Sequence, residues 1–139
     1  RYVELLSQVL YNTLDKFLGF KNLTLIPIPS SHQKIKERGF DSVTNLCSNM
    51  IQRNKSIAMD ETNLFLRRIV LDQVGLTAAQ RHSNLEGAFG IRRTVNGTVV
   101  LVDDVVTTGA TLNSAARTLK FAGAQRVFAL TLCGSPKSR

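Results

Sequence analysis

The stretch VVLVDDVVTTGAT, residues 99–111, decides how the rest of the chain is read. With Thr98 in front of it, its first half is a β-branched apolar run of the kind buried on both faces of a parallel sheet. Two adjacent carboxylates, Asp103 and Asp104, close that run. This predicts that they stand at the C-terminal edge of the sheet, where open α/β folds bind their ligands. A Thr-Thr-Gly-Ala-Thr turn follows and enters a helix with Leu112, Ala115, Ala116, Leu119 and Ala122 inward and Gly123 as its stop. Consecutive backbone N–H groups, threonine hydroxyls and a glycine that permits close approach make the turn an anion pocket at a helix N-terminus. Carboxylates suit vicinal ribose hydroxyls or a Mg2+ ion, and the turn suits a phosphate one sugar carbon away. Together they read as a ribose 5-phosphate cradle. As plain structure they would be an Asp-Asp turn and a threonine N-cap, but two crowded carboxylates repel, and structure alone rarely asks for them.

Downstream, residues 126–133 (RVFALTLC) read as the last strand, with Val127 to Leu132 as a buried run. Upstream, residues 2–18 carry Tyr2, Leu6, Val9, Leu10, Leu14, Phe17 and Leu18, read as one helical stripe stopped by Gly19. Residues 23–28 (LTLIPI) form a short strand closed by Pro27 and Pro29. Asp41 caps a second helix bearing Val43, Leu46, Cys47, Met50 and Ile51. Residues 64–70 (LFLRRIV) are a further strand, and residues 72–90 a long connection with one or two helical turns. Strands alternating with helices predict an α/β fold with a mostly parallel sheet. There is no internal repeat, no low-complexity tract and no sign of a second domain, so 1–139 reads as one unit.

The composition agrees. At 139 residues with 43% hydrophobic content, the chain is too apolar to be disordered. Two cysteines do not make a disulfide scaffold. No apolar run approaches the ~18 residues a membrane span needs, so no membrane insertion is expected. With no signal-peptide core at the N-terminus, a cytoplasmic address is expected. The net charge is +8, and after Asp104 five basic residues (Arg117, Lys120, Arg126, Lys137, Arg139) face no acidic ones. Such an excess points to phosphate-bearing partners, nucleotides or nucleic acid, or else to a plain cationic surface. His32 and His82 lack companions at ligand spacing and read as ordinary residues; Cys47 and Cys133 read as small core residues. Dinucleotide, P-loop, zincin and hydrolase motifs are absent.

Residues 99–111 resemble the phosphoribosyl pyrophosphate (PRPP) motif of type I phosphoribosyltransferases. That resemblance implies a parallel sheet flanked by helices, Asp103 and Asp104 on the ribose 2′- and 3′-hydroxyls, and Thr107, Thr108, Gly109, Ala110 and Thr111 around the 5′-phosphate. More narrowly, IPIPSSHQKIKERGFD (residues 26–41), DQVGLTAAQRHSNLEGAF (72–89) and VFALTLC (127–133) resemble the competence protein ComF family. The positional marks are Arg38, Gly39, Phe40, Gln73, Arg81, Asn84 and Phe89. The resemblance places a pyrophosphate-binding loop at residues 30–40, where Ser30, Ser31, Lys34, Lys36 and Arg38 would hold the group, or would otherwise be a solvated basic loop. It places a lid at residues 72–90, where Arg81, beside Gln80, would join Asp103 and Asp104 as a catalytic residue, or would otherwise be plain helix surface.

The family further implies Mg2+ bound with PRPP, a role in natural competence with incoming single-stranded DNA, and a helicase partner. Two departures stand out. ComF-like proteins carry a zinc module before this domain, but no CxxC occurs here, and the abrupt start reads as a module cut off or lost; zinc would belong to that module alone. Thr107 stands where 6-oxopurine salvage enzymes place an aspartate base, so hypoxanthine or guanine salvage is not expected. The 28 residues after Thr111 offer no distinct hood for a nucleobase. A phosphoribosyltransferase with an unnamed acceptor, in salvage or biosynthesis, and a non-catalytic PRPP sensor both stay open.

Overall fold

The computed structural model describes residues 2–19, 21–30, 35–37, 39–67, 77, 79 and 87–134. In chain order its elements are α1 (Tyr2–Leu18), β1 (Leu23–Pro27), α2 (Ser42–Arg53), β2 (Ala58–Met59), β3 (Leu64–Leu66), β4 (Phe89–Ile91), β5 (Thr98–Val106), α3 (Ala110–Phe121) and β6 (Arg126–Gly134). Four strands pair in the order β2-β1-β5-β6, all parallel, while β3 and β4 form a separate antiparallel ribbon. The expected α/β fold, a parallel sheet flanked by helices, is the one found.

Alternate residues of a strand face opposite sides of the sheet, and β5 feeds two cores in this way. Val100 and Val102 join Leu23 and Leu25 of β1 beneath Leu10, Leu14, Leu46 and Met50 of α1 and α2. Val99 and Leu101 join Ile26 on the other face, against Leu112, Ala115 and Leu119 of α3 and Leu64 and Phe89 of the ribbon. An apolar residue is therefore needed at every position from 99 to 102. The helix ends match their sequence signals. Asp41 Oδ1 accepts from the amides of Val43 and Thr44 at 3.1 and 3.2 Å, capping α2. Beyond α3, Gly123 has φ +111°, and a side chain there would come within 2.7 Å of Val95 O.

Five expectations are corrected. In α1 the buried residues are Ser7, Leu10 and Leu14, whereas Tyr2, Leu6, Val9 and Phe17 are exposed. The helix is apolar on more than one face, and Ser7 is buried because its hydroxyl donates to Glu4 O at 2.8 Å. The strand expected at 64–70 is β3 alone among the described residues, and it belongs to the ribbon. Its partner, β4, lies within and just beyond the stretch read as a connection. Gly90 permits that pairing, since a Cβ there would fall 2.5 Å from the Phe65 ring. The run from Val127 to Leu132 is not a buried strand: among the described residues β6 pairs with β5 alone, and Leu130 is buried while Phe128 is 37% exposed. Cys133 is accordingly exposed instead of in the core. Among the described residues, no helix is long and apolar enough to cross a membrane.

Cys47 behaves as expected of a core residue. Burial, with the charge of Asp41 second, pushes its thiol from the ordinary 9.0 up to about 12. Well below pH 9.0 the thiol is protonated whether the chain is folded or not; as pH rises through 9.0 the unfolded chain loses the proton first, so this group's contribution to stability falls as pH rises toward about 12. At pH 8 a maleimide should therefore label Cys133 alone in native protein and both thiols in urea, read by mass spectrometry. Native labelling of Cys47 at a free-thiol rate would contradict the packing.

Candidate functional site

The site arises where neighbouring strands have unequal length. β1 stops at Pro27, paired with Val102, and the Ile28 amide donates to Val102 O at 2.9 Å. β5 continues to Val106, paired among the described residues with β6 alone, in the register Asp103↔Thr131, Val105↔Cys133 and Val106↔Gly134. The strand was expected to end at the two carboxylates; instead they lie on its overhang. The pleat places consecutive residues on opposite faces, which separates two like charges that would crowd each other in a turn. Asp103 Oδ1 accepts from the Asp104 amide at 2.9 Å, and Asp104 Oδ1 from the Val105 amide at 2.8 Å. Both residues are half-buried.

The turn follows at once. Thr107 and Thr108 are exposed, and Gly109, with φ +79° and ψ 0°, is the N-cap of α3. Thr108 Oγ1 accepts from the Ala110 amide at 3.3 Å, and Gly109 O accepts from the Asn113 amide at 2.9 Å. A left-handed glycine at this point turns the chain so that successive amides line one concavity at the positive end of a helix dipole. The structure thus brings Asp103, Asp104 and residues 107–111 to one edge of the sheet. Ser30, half-buried, lies three residues beyond β1 at the same edge. Lys36 is exposed in a helical turn at 35–37. Ser31, Lys34, Arg38 and Arg81, together with Gln80, His32 and His82, lie outside the described residues.

Sequence reasoning missed one neighbour of the site: Cys133, whose Sγ donates to Asp104 O at 3.7 Å. Parallel pairing of residues 98–106 with 126–134 would have placed it opposite Val105. Among the described residues, no cluster of three or more His, Cys, Asp or Glu could hold a metal.

The model of the phosphoribosyl transferase domain matches residues 69–139, which include the overhang, the turn and α3. The chain belongs to the phosphoribosyl transferase domain family. Within it the relatives are of the ComF kind. Competence protein F of Haemophilus influenzae is 31% identical over 74% of this chain and 46% of its own length. The DNA utilization protein YhgH of Escherichia coli K12 is 33% identical over 78% of this chain and 48% of its own. The chain thus spans about half the length of these relatives. Among solved structures, a hypoxanthine phosphoribosyltransferase from Staphylococcus aureus superposes with a TM-score of 0.56 at 16% identity, covering 99% of this chain and 65% of that one. The glutamine PRPP amidotransferase of B. subtilis does so at 0.55 and 20% identity, over 91% of this chain and 26% of that one. At these identities the likeness is one of fold.

Gly109→Val offers a direct probe of this phosphoribosyl transferase turn. A Cβ at Gly109 would meet only Asn113 Nδ2 at 3.9 Å, so the obstacle is the left-handed backbone and not crowding. A β-branched residue there costs about 1–3 kcal/mol and pulls the amides out of line. Ribose 5-phosphate should raise the melting temperature of the parent and leave that of Gly109→Val unmoved. Equal shifts in both would place the phosphate elsewhere.

Proposed function

We propose that this domain binds PRPP and serves the handling of incoming single-stranded DNA in natural competence. The observation that carries the first half is the overhang: two carboxylates on one strand end, immediately followed by an amide-lined turn at a helix N-terminus. Asp103 and Asp104 would accept from the ribose 2′- and 3′-hydroxyls, and Thr107 to Thr111 would hold the 5′-phosphate. Ser30 and Lys36, with Ser31, Lys34 and Arg38 of the same loop, would take the pyrophosphate oxygens. The second half is supported by the relatives named for competence and DNA utilization, and a helicase partner and a cytoplasmic setting belong to that reading.

The cradle's chemistry is substitution at C1 of the ribose. The bond from C1 to the pyrophosphate oxygen breaks, its electron pair leaves with pyrophosphate, and a nitrogen nucleophile forms the new bond and gives up a proton. The chain's own part is to fix the sugar through the two carboxylates and to offset charge on the departing group with loop cations, with Arg81 as a lid cation. Asp103 and Asp104 are hard oxygen donors of the kind that bind Mg2+ jointly with a substrate's phosphates, so either would hold one ion through the ligand. When bound, that ion would neutralise charge on the leaving group.

Each charge-assisted hydrogen bond contributes roughly 1.5–3 kcal/mol. Replacing Asp103 and Asp104 together by Asn should therefore weaken PRPP binding at least ~10-fold by calorimetry, with an unchanged circular dichroism spectrum. Parental affinity in a folded double variant would remove the ribose assignment.

A further inference from the structure

A second concavity, about 810 Å³, runs between α3 and the β3–β4 ribbon. Among the described residues its lining includes four arginines, Arg67, Arg92, Arg93 and Arg117, and no carboxylate. A helix of 12 residues is about 18 Å long, and the concavity extends along α3 from Thr108 to Phe121. It is therefore an extended groove, and Thr108 of the phosphate turn stands at one end of it.

Two of the cations are fixed in place by the ribbon. Asn63, buried ahead of β3, accepts at Oδ1 from the amides of Arg92 and Arg93 at 3.1 and 2.8 Å. The Arg92 guanidinium lies 4.6 Å from the centre of the Phe65 ring, and its Nε donates to Thr62 O at 3.0 Å. Arg93 pairs with Asp60 at 3.1 Å, which offsets part of its charge. Arg67 and Arg117 make no ion pair with any described residue. At the far end stands Phe121, 93% exposed. It lies off the apolar stripe of α3, so packing within this chain does not account for it. A groove with cations along its walls, an exposed ring at its end and no acidic residue among its described lining matches the requirements of a polyanion that carries flat, stackable groups.

We propose that this groove is a track for single-stranded nucleic acid, with Arg67 and Arg117 on backbone phosphates and Phe121 as a stacking platform. The assignment rests on the reading of this chain as a DNA-handling protein and gives that reading a surface. Of the basic residues after Asp104, Arg117 lines the groove; Lys120, which donates to Gln125 O at 2.7 Å, lies outside that lining but shares an adjacent concavity of about 630 Å³ with Arg117 and Phe121; and Arg126 opens the edge strand.

The test is fluorescence anisotropy with a labelled oligothymidylate over a salt series, on the parent, Arg67→Glu/Arg117→Glu, Phe121→Ala and a charge-matched control, Lys21→Glu/Lys55→Glu, on the loops entering β1 and β2. Thermal melts verify folding, and PRPP thermal shifts run in parallel. The groove double variant should bind about tenfold or more weakly, with a log–log salt slope shallower by about 0.7 for each phosphate no longer neutralised. Phe121→Ala should bind about fivefold or more weakly. The control should keep the parental slope, and polyglutamate at matched charge should compete poorly. If the groove variants bind like the parent, if the control weakens as much, or if polyglutamate competes equally, the groove is overturned while strand binding itself stands. If the parent binds no oligothymidylate at low salt, direct strand binding falls as well, and the PRPP shift reports on the cradle independently.

Discussion

The structure depends on one inequality: among the described residues, β5 is buried between two parallel neighbours for its first half and has only one for its second. In the first half, a strand enclosed on both faces needs helices above and below, which fixes α1 and α2 on one side and α3 on the other. In the second half β1 has ended, and among the described strands β6 alone pairs with β5. Residues that would be core two positions earlier become half-buried at an open edge, so carboxylates are tolerated there. The same strand end aims the chain into the turn before α3, so fold and site share one cause.

Much of this was legible because β5 and α3 carry strong local signals. Four consecutive apolar residues mark double-sided burial, and a glycine between threonines and an apolar helix stripe marks the turn. Asp41 announced α2 by the same logic. Other features depended on pairing that no local pattern encodes. Residues 127–132 are as apolar as a buried strand, but whether β6 is central or at the edge depends on the number of strands beside it. β4 was hidden because Gly90 is a poor strand residue by propensity; it fits only because Phe65 of the partner strand crosses it. The inward face of α1 was misread since Ser7 is buried by bonding to its own helix, and polarity alone gave the wrong side. At the site, the carboxylates and the turn were readable, but the overhang that separates the two charges was not.

The charge distribution follows the architecture. A net +8 reads as a diffuse property in the sequence, yet the fold gathers four arginines from α3 and from the ends of β3 and β4 along one groove. Asn63 links the segment after β4 to the ribbon, so the backbone positions of Arg92 and Arg93 are set by partly buried hydrogen bonds and not by loop preference. Thr108 belongs to both the turn before α3 and the groove wall, so the proposed cradle and the groove meet at the N-terminal end of that helix. Occupants of the two would share the field of the α3 N-terminus, and linkage makes any such coupling reciprocal.

The most direct measurement is a titration of 15N-labelled protein with PRPP and Mg2+, followed by amide chemical shifts. The amides of Asp103, Asp104 and Thr107 to Thr111 should move most, Ser30 and Lys36 should follow, and the amides of α1 should stay in place. Largest shifts within α1 or α2, with the turn unmoved, would contradict the assignment of the β5 overhang as the sugar-phosphate site.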